Sequence, residues 1–252
     1  MDDEYLALLV DLHKRQKRQG PGGEAETSGA MALANFHGSE PLRIADIGCG
    51  TGASTLQLAN SLNAEITAVD FLPEFIEVLK DNAEAEGLSE KIKPLVCSME
   101  QLPFADEEYD ALWSEGAIYN IGFEKGLNEW RRFLKPGGII AVSEITWITN
   151  SRPPELQQYW KGEYPEIASA STKIKVLEES GYSPIGYFVL PESCWLENYY
   201  RPLQDGFPDF LARHKDGEMA TSIIEAEKNE IALYKKHKSY YSYGVYVARK
   251  FG

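Results

Sequence analysis

The chain has 252 residues, 43% of them hydrophobic, which is enough to bury the core of one large α/β domain. Its 39 acidic residues outnumber its 25 basic residues, and a surface with a net charge of −14 repels the phosphates of nucleic acid. No apolar run approaches the roughly 20 residues of a membrane-spanning helix, and the acids before the first apolar run have the wrong sign for a signal peptide. We therefore expect a cytoplasmic protein that binds neither nucleic acid nor a membrane.

The cysteine content agrees with a reducing compartment. Cys49, Cys97 and Cys194 are odd in number and widely spaced. Such spacing indicates neither a disulfide framework nor a zinc site. The sequence therefore predicts no metal.

The N-terminal region is predicted to be helical. Leu8, Leu9 and Leu12 share one face of an amphipathic helix, which "QGPGGE" then ends. A second helix is expected over about residues 27–36, with Thr27 or Ser28 as its N-cap. The segment "RQGPG", residues 18–22, is then either a plain interhelical loop or part of a lid over a binding site.

From residue 42 onward, short apolar runs alternate with amphipathic helical patterns. The predicted strands are "LRIADI", "EITAVD", "KIKPLVC", "YDALWS" and "PGGIIAVSEITW". The helices between them are "TGASTLQLANSL", "PEFIEVLKDNAEAEG" and "FEKGLNEWRRFL". Short loops between alternating strands and helices predict right-handed βαβ units and a parallel sheet covered on both faces.

The C-terminal part of the chain is less regular. Residues 148–181 and 191–239 are predicted to be mostly helical, and each stretch is followed by a strand, "YSPIGYFVL" and "YYSYGVYVARK". A strand, an insertion and a final strand indicate a hairpin that closes the sheet edge with an antiparallel strand. Because no linker is visible, we expect residues 1–252 to form a single domain.

The segment "GCGTGA", residues 48–53, lies between a predicted strand and a predicted helix. Such a turn places a ligand at the carboxyl edge of the sheet, and "GCGTGA" satisfies the dinucleotide fingerprint G-x-G-x-x-A. Asp70, at the end of the next strand, suits a ribose in either a dinucleotide or another adenosine cofactor. Asp46 favours the second class, because a carboxylate near the loop repels a pyrophosphate and attracts a sulfonium.

Five motifs occur in order along the chain: "ADIGCGTG", "AVD", "SMEQLPF", "YDALWSEGAIYNI" and "RRFLKPGGIIAVSE". Together they resemble the successive motifs of class I S-adenosylmethionine-dependent methyltransferases, in particular the small-molecule type. The resemblance is strong over residues 42–147 and weak toward both ends. It implies a Rossmann-like, mostly parallel seven-stranded sheet with an antiparallel edge strand and helices on both faces. It also implies S-adenosyl-L-methionine as cofactor and S-adenosyl-L-homocysteine as product.

The resemblance also implies which residues contact the cofactor. They are Arg18, Gly20, Asp46, Gly48, Cys49, Gly50, Thr51, Gly52, Asp70, Phe71, Ser98, Met99, Glu100, Ser114 and Glu115. Gly48 is expected to form the tight turn, Gly50 to let the backbone touch the ligand, and Gly52 to let the helix pack closely. One position departs from the family pattern, since Ser98 stands where an aspartate is usual. The adenine contact is then expected to depend more on Met99 and Phe71.

The methyl acceptor is expected to be a small molecule, neutral or cationic rather than anionic. Glu115 and Glu144 follow the fourth and fifth strands, and Glu115 and Tyr119 are the candidate catalytic bases for a hydroxyl or carbon acid. Residues 1–40 form the predicted lid, and 148–181 and 191–239 the predicted cap. The predicted substrate-binding aromatics are Tyr119, Trp147, Trp160, Tyr164 and Trp195.

Several alternatives remain open on sequence alone. A nicotinamide-dependent oxidoreductase would share the glycine loop and the ribose-binding acid. A non-catalytic S-adenosylmethionine-binding protein would share every cofactor motif. The acceptor is not readable from fold and cofactor motifs, and the chain is expected to be a monomer or a homodimer.

Overall fold

The computed structural model describes residues 3–36 and 41–251. In these ranges the strands are β1 Leu42–Ile47, β2 Ala64–Asp70, β3 Ile92–Val96, β4 Tyr109–Glu115, β5 Leu134–Trp147, β6 Ala168–Ser169, β7 Tyr182–Val189 and β8 Tyr241–Lys250. All seven predicted strands are present. Only the two-residue β6 was not predicted.

One sheet contains all the described strands, in the order β3-β2-β1-β4-β5-β8-β7, with β6 paired to the end of β5. Neighbours from β3 to β5 are parallel, whereas β8 runs antiparallel to both β5 and β7. The expected mostly parallel sheet with antiparallel pairing at one edge is confirmed. The reversed strand lies second from that edge. Pro94 is accommodated because β3 is the opposite edge strand, where a missing N–H costs little.

The helices of the described residues flank this sheet. They are α1 Asp3–His13, α2 Glu24–Ala34, α3 Ala53–Ser61, α4 Pro73–Ala85, α5 Phe123–Trp130, α6 Pro154–Glu163, α7 Ala170–Glu179, α8 Glu192–Trp195, α9 Arg201–Asp205, α10 Phe207–Arg213 and α11 Glu218–His237. Single helical turns cover Ile118–Asn120, Arg131–Phe133 and Leu196–Tyr200. None of these helices is both long and apolar enough to cross a membrane.

The second helix begins earlier than predicted. Its N-cap is Gly23, not Thr27 or Ser28, and Glu24 and Glu26 lie in its first turn, where acids favour the helix dipole. Thr27 is instead buried inside the helix and uses its hydroxyl in a tertiary contact. The predicted lid includes residues 1–2 and 37–40, and the predicted domain includes residue 252; these lie outside the described residues.

Alternate residues of the central strands pack into two core layers. Ile44 and Trp113 belong to one layer, and Ala45, Ile47 and Leu112 to the other. Because successive side chains on a strand point to opposite faces, β1 and β4 are buried on both sides. Because both faces of β1 and β4 are covered, a ligand can reach them only at the edge of the sheet where their carboxyl ends lie.

Candidate functional site

A cavity of about 620 Å³ opens at the carboxyl ends of β1, β2 and β4. The chain connections from β1 lead toward β2 and β3, whereas β4 lies on the other side of β1, so this is a topological switch point. The cavity is lined by the glycine loop, Asp70, residues 97–100, the turn after β4, residues 18–21, the inner face of α1 and Tyr199. A volume of this size suits a cofactor or a drug-sized ligand.

Two glycines of the loop are required by close approach as well as by backbone conformation. Gly52 has φ of +96°, and a Cβ there would lie 2.2 Å from Leu79 Cδ1 of α4. Close helix packing at Gly52 therefore agrees with the prediction. Gly50 has φ of +56°, and a Cβ there would lie 2.1 Å from Gln19 Oε1. The Gln19 side chain therefore lies against the Gly50 backbone, and Gly50 also lines the cavity, so its contact with a ligand stays a prediction.

The five successive backbone N–H groups of residues 48–52 all have acceptors inside the protein. Gly48 and Cys49 donate to Val69 O at 2.8 and 2.9 Å, and Gly52 donates to Cys49 O at 3.0 Å. Gly50 donates to Asp70 Oδ2, and Thr51 donates to Gln19 Oε1, both at 2.9 Å. The loop backbone is therefore satisfied by the fold itself.

Asp46 lies beneath this loop and does not line the cavity. It is fully buried, and its Oδ2 accepts hydrogen bonds from the Ser54 and Thr55 hydroxyls at 2.8 and 2.6 Å. Burial, against these two hydrogen bonds, raises the pKa of the Asp46 carboxyl to about 7. Asp46 is thus buried against the two hydroxyls of α3, and its expected contact with the cofactor stays a prediction.

Asp70 faces the cavity from the end of β2. Its two oxygens accept from the backbone N–H groups of Gly50 and Leu72, each at 2.9 Å, and burial raises its pKa. Phe71, Ser98, Met99 and Glu100 line the same side of the cavity, and Phe71 is 67% exposed. A carboxylate with an exposed ring beside it can accept from ribose hydroxyls and leave the ring free to cover a flat base.

Arg18 and Glu115 meet across the cavity wall. An Arg18 guanidinium N–H donates to Glu115 Oε2 at 2.9 Å. The other carboxylate oxygen accepts from the Thr27 hydroxyl at 2.7 Å and from Trp113 Nε1 at 3.0 Å. Donors from three side chains hold Glu115, so its geometry fits an anchor for Arg18 better than a free catalytic base.

The predicted aromatic lining is largely replaced by other residues. Trp195 is buried and stacks on Tyr234 with centroids 4.3 Å apart, and Trp160 packs on Tyr241 at 5.1 Å. The pairing of β5 with β8 places Trp147 beside Tyr241, inside the same packed cluster. None of these three tryptophans lines the cavity, and neither does Tyr164, which contacts the outer side of Tyr119.

Tyr119 does line the cavity, on the helical turn after β4, and remains 42% exposed. Glu144 was expected near the open site and is instead fully buried, where burial raises its pKa to about 7 and the charge of buried Lys173 opposes that rise. Thr51, Gly52 and Ser114 are also absent from the cavity lining. The Ser114 hydroxyl donates to Ile47 O at 2.8 Å and thereby joins β4 to β1.

Cavity residues that were not proposed from the sequence include His13, Gln19 and Tyr199. Gln19 precedes the Gly-Pro-Gly segment, which the sequence did single out, so its position was the available signal. His13 and Tyr199 reach the cavity only through the packing of α1 and of the turn at Leu196–Tyr200, which no local pattern encodes.

The fold is similar to that of solved methyltransferase structures. The structure of an S-adenosylmethionine-dependent methyltransferase from Geobacter sulfurreducens, in complex with S-adenosyl-L-homocysteine, superposes with a TM-score of 0.83 at 16% identity over 96% of this chain and 97% of that one. The expected class I methyltransferase fold is confirmed by this likeness.

Residues 44–138 match the family model of a methyltransferase domain. An uncharacterized Haemophilus influenzae protein is 28% identical over 61% of this chain and 61% of its own length. The ubiquinone/menaquinone biosynthesis C-methyltransferase of Geotalea daltonii is 34% identical over 41% of this chain and 46% of its own length. The chain thus spans about half to three fifths of these relatives.

Proposed function

We propose that this chain is an S-adenosyl-L-methionine-dependent methyltransferase that transfers a methyl group to a small-molecule acceptor. The observation that carries the proposal is one cavity at the switch point of a methyltransferase domain. It brings together the glycine loop, Asp70 and Arg18, although they come from separate parts of the sequence.

The chemistry of the cavity residues fits this cofactor. Asp70 offers a carboxylate for the ribose hydroxyls, and Phe71, Ser98 and Met99 offer a surface for adenine. Arg18 has more guanidinium N–H groups than its bonds to Glu115 and Thr27 use, so it can also receive the carboxylate of the methionine part. S-adenosyl-L-homocysteine would contact the same cavity residues.

When bound, the cofactor supplies a methyl group that its sulfonium already activates. The residues of this chain then have to hold the acceptor in line and exclude water. Leu6, Leu9 and Val10 of α1 give the cavity an apolar wall, and Tyr119 and Tyr199 add polar rings. An apolar wall with few polar groups suits a small organic acceptor.

Within this proposal, the N-terminal helices act as a lid, and the helical insertions before and after β7 act as a cap on the same single domain. The excess of acidic residues supports a protein without a nucleic-acid partner, and the three free cysteines support a cytoplasmic location. A monomer or a homodimer is compatible with this arrangement.

The test is calorimetric titration of the protein with S-adenosylmethionine, S-adenosylhomocysteine and NAD, followed by incubation with a metabolite pool and methyl-labelled cofactor. Binding of the first two ligands and label in a small molecule are the expected results. Binding of NAD alone would replace the proposal by an oxidoreductase. Tight cofactor binding without labelled product from any pool would favour a non-catalytic binding protein.

A further inference from the structure

Both the oxygen and the nitrogen of the Gln19 side-chain amide form hydrogen bonds with the glycine loop. Its Oε1 accepts from the Thr51 backbone N–H at 2.9 Å, and its Nε2 donates to Thr51 Oγ1 at 3.0 Å. The same Nε2 also lies 3.2 and 3.0 Å from the carbonyl oxygens of His13 and Gln16, at the end of α1 and just beyond it. The side chain is therefore held in one place and lines the cavity.

We propose that Gln19 determines cofactor class, by occupying the position on the glycine loop before α3 where a diphosphate group would otherwise bind. The inference rests on the proposed function, and it explains how a loop with the dinucleotide pattern G-x-G-x-x-A serves a cofactor without phosphate.

The backbone N–H groups of the glycine loop already have acceptors. A glycine loop that leads into a helix binds anions through backbone N–H groups that lack other partners. At this loop Thr51 gives its N–H to Gln19, Gly50 gives its N–H to Asp70, and the N–H groups of Gly48, Cys49 and Gly52 bond to backbone carbonyls. A phosphate oxygen at residues 48–52 would have to displace one of these acceptors.

Space and charge at the glycine loop also disfavour a phosphate. A Cβ on Gly50 would lie 2.1 Å from Gln19 Oε1, so the amide oxygen already fills the approach that the glycine leaves open. Gln19 Oε1 and the Asp70 carboxylate both turn oxygen atoms toward this face of the loop. Two oxygens repel a phosphate, whereas neither a sulfonium nor the hydroxyls of a ribose are repelled by them.

The test compares anion binding by the wild type, Gln19→Ala and Gln57→Ala. Gln57 is a matched control on α3, because its amide nitrogen donates to Glu24 O and the Ser28 hydroxyl and the residue does not line the cavity. Inorganic pyrophosphate and ADP are the probes, titrated calorimetrically with and without saturating S-adenosylhomocysteine. Melting curves establish that each variant is folded.

We expect Gln19→Ala to bind pyrophosphate at least about tenfold more tightly than the wild type, in competition with S-adenosylhomocysteine, because a freed N–H forms a charge-assisted bond with an anion. Gln57→Ala should match the wild type. Gln19→Glu keeps oxygen atoms at this position and should show no gain. A smaller gain in Gln19→Ala, or an equal gain in Gln57→Ala, overturns the proposal.

These outcomes are separable from the failure of the proposed function. That function fails if the wild type does not bind S-adenosylmethionine or its product. The role of Gln19 is measured by the change in pyrophosphate affinity between two variants, whichever adenosine cofactor the wild type prefers.

Discussion

Arg18 and Glu115 lie 97 residues apart in the sequence and form an ion pair of 2.9 Å, with side chains only 8% and 18% exposed. The pair joins the segment between α1 and α2 to the end of β4. Each charge has lost most of its contact with water, so each depends on the other for compensation. The cavity wall is therefore held at the point where the chain enters from the N-terminal helices.

Replacement of Glu115 by alanine leaves Arg18 buried without its carboxylate. We expect the free energy of unfolding to fall by about 3 kcal/mol, within the range for breaking a buried pair on one side. Urea denaturation measures it. Glu77→Ala is the control, because its pair with Lys80 is exposed and such pairs contribute about 0–1 kcal/mol. Equal losses in both variants would show that Glu115 does not anchor Arg18.

Asp70→Ala removes the carboxylate that faces the cavity at the end of β2. We expect S-adenosylmethionine and S-adenosylhomocysteine to lose affinity equally, by about 1–3 kcal/mol, because the ribose hydroxyls they share would lose their acceptor. Isothermal titration measures both affinities.

Asp81→Ala is the matched control, since Asp81 is exposed on α4 and does not line the cavity. It should change neither affinity. Loss of only one of the two ligands in Asp70→Ala would place Asp70 away from the ribose.

Gly50→Ala tests the contact between the loop and Gln19. The new Cβ would meet Gln19 Oε1 at 2.1 Å, so the amide has to release the Thr51 N–H. Gly137→Ala is a control for backbone strain alone, because Gly137 also has a positive φ, of +74°, but nothing within 4 Å of a Cβ.

Both variants should lose about 1–2 kcal/mol of stability from the left-handed backbone. Only Gly50→Ala should weaken S-adenosylhomocysteine, by about tenfold or more, since the cavity wall moves. Equal calorimetric affinities for the two variants would remove Gly50 and Gln19 from the site.

The sequence was sufficient for the sheet and for the side of it on which the ligand lies. Periodic apolar runs and the turn "GCGTGA" depend on local chemistry, and so all seven predicted strands are found in the structure. The position of Asp70 at the cavity could be predicted because this residue ends a strand, and the carboxyl ends of neighbouring parallel strands meet at one edge of the sheet.

The sequence was not sufficient for the orientation of side chains in the C-terminal half. Trp147, Trp160 and Trp195 were expected at the ligand, but they pack against Tyr241 of β8 and Tyr234 of α11 instead. Gln19 was not predicted as a site residue for a related reason. Its partner Thr51 is 32 residues away, and the bond depends on how α1 docks against the glycine loop.

The final prediction concerns the pH dependence of stability that Asp46 imposes. Burial raises the pKa of this carboxyl from 3.8 to about 7, so the folded protein holds the proton that the unfolded chain releases between these values. The protonated Asp46 therefore stabilises the fold fully below about pH 4, and this stabilisation is lost as the pH rises toward 7. At about 1.4 kcal/mol per pKa unit, the loss is at most a few kcal/mol.

Asp46→Asn has no proton to release, so its unfolding free energy should fall less than that of the wild type between pH 4 and 7, and the two curves should run parallel above about pH 8. Denaturant titrations at a series of pH values measure the difference. Other carboxyls, including Glu144, titrate in both proteins and cancel in the subtraction. Asp81→Asn, at an exposed position, should follow the wild type throughout. A difference that stays constant from pH 4 to 8 would mean that Asp46 is already ionised in the folded protein, held by the Ser54 and Thr55 hydroxyls despite its burial.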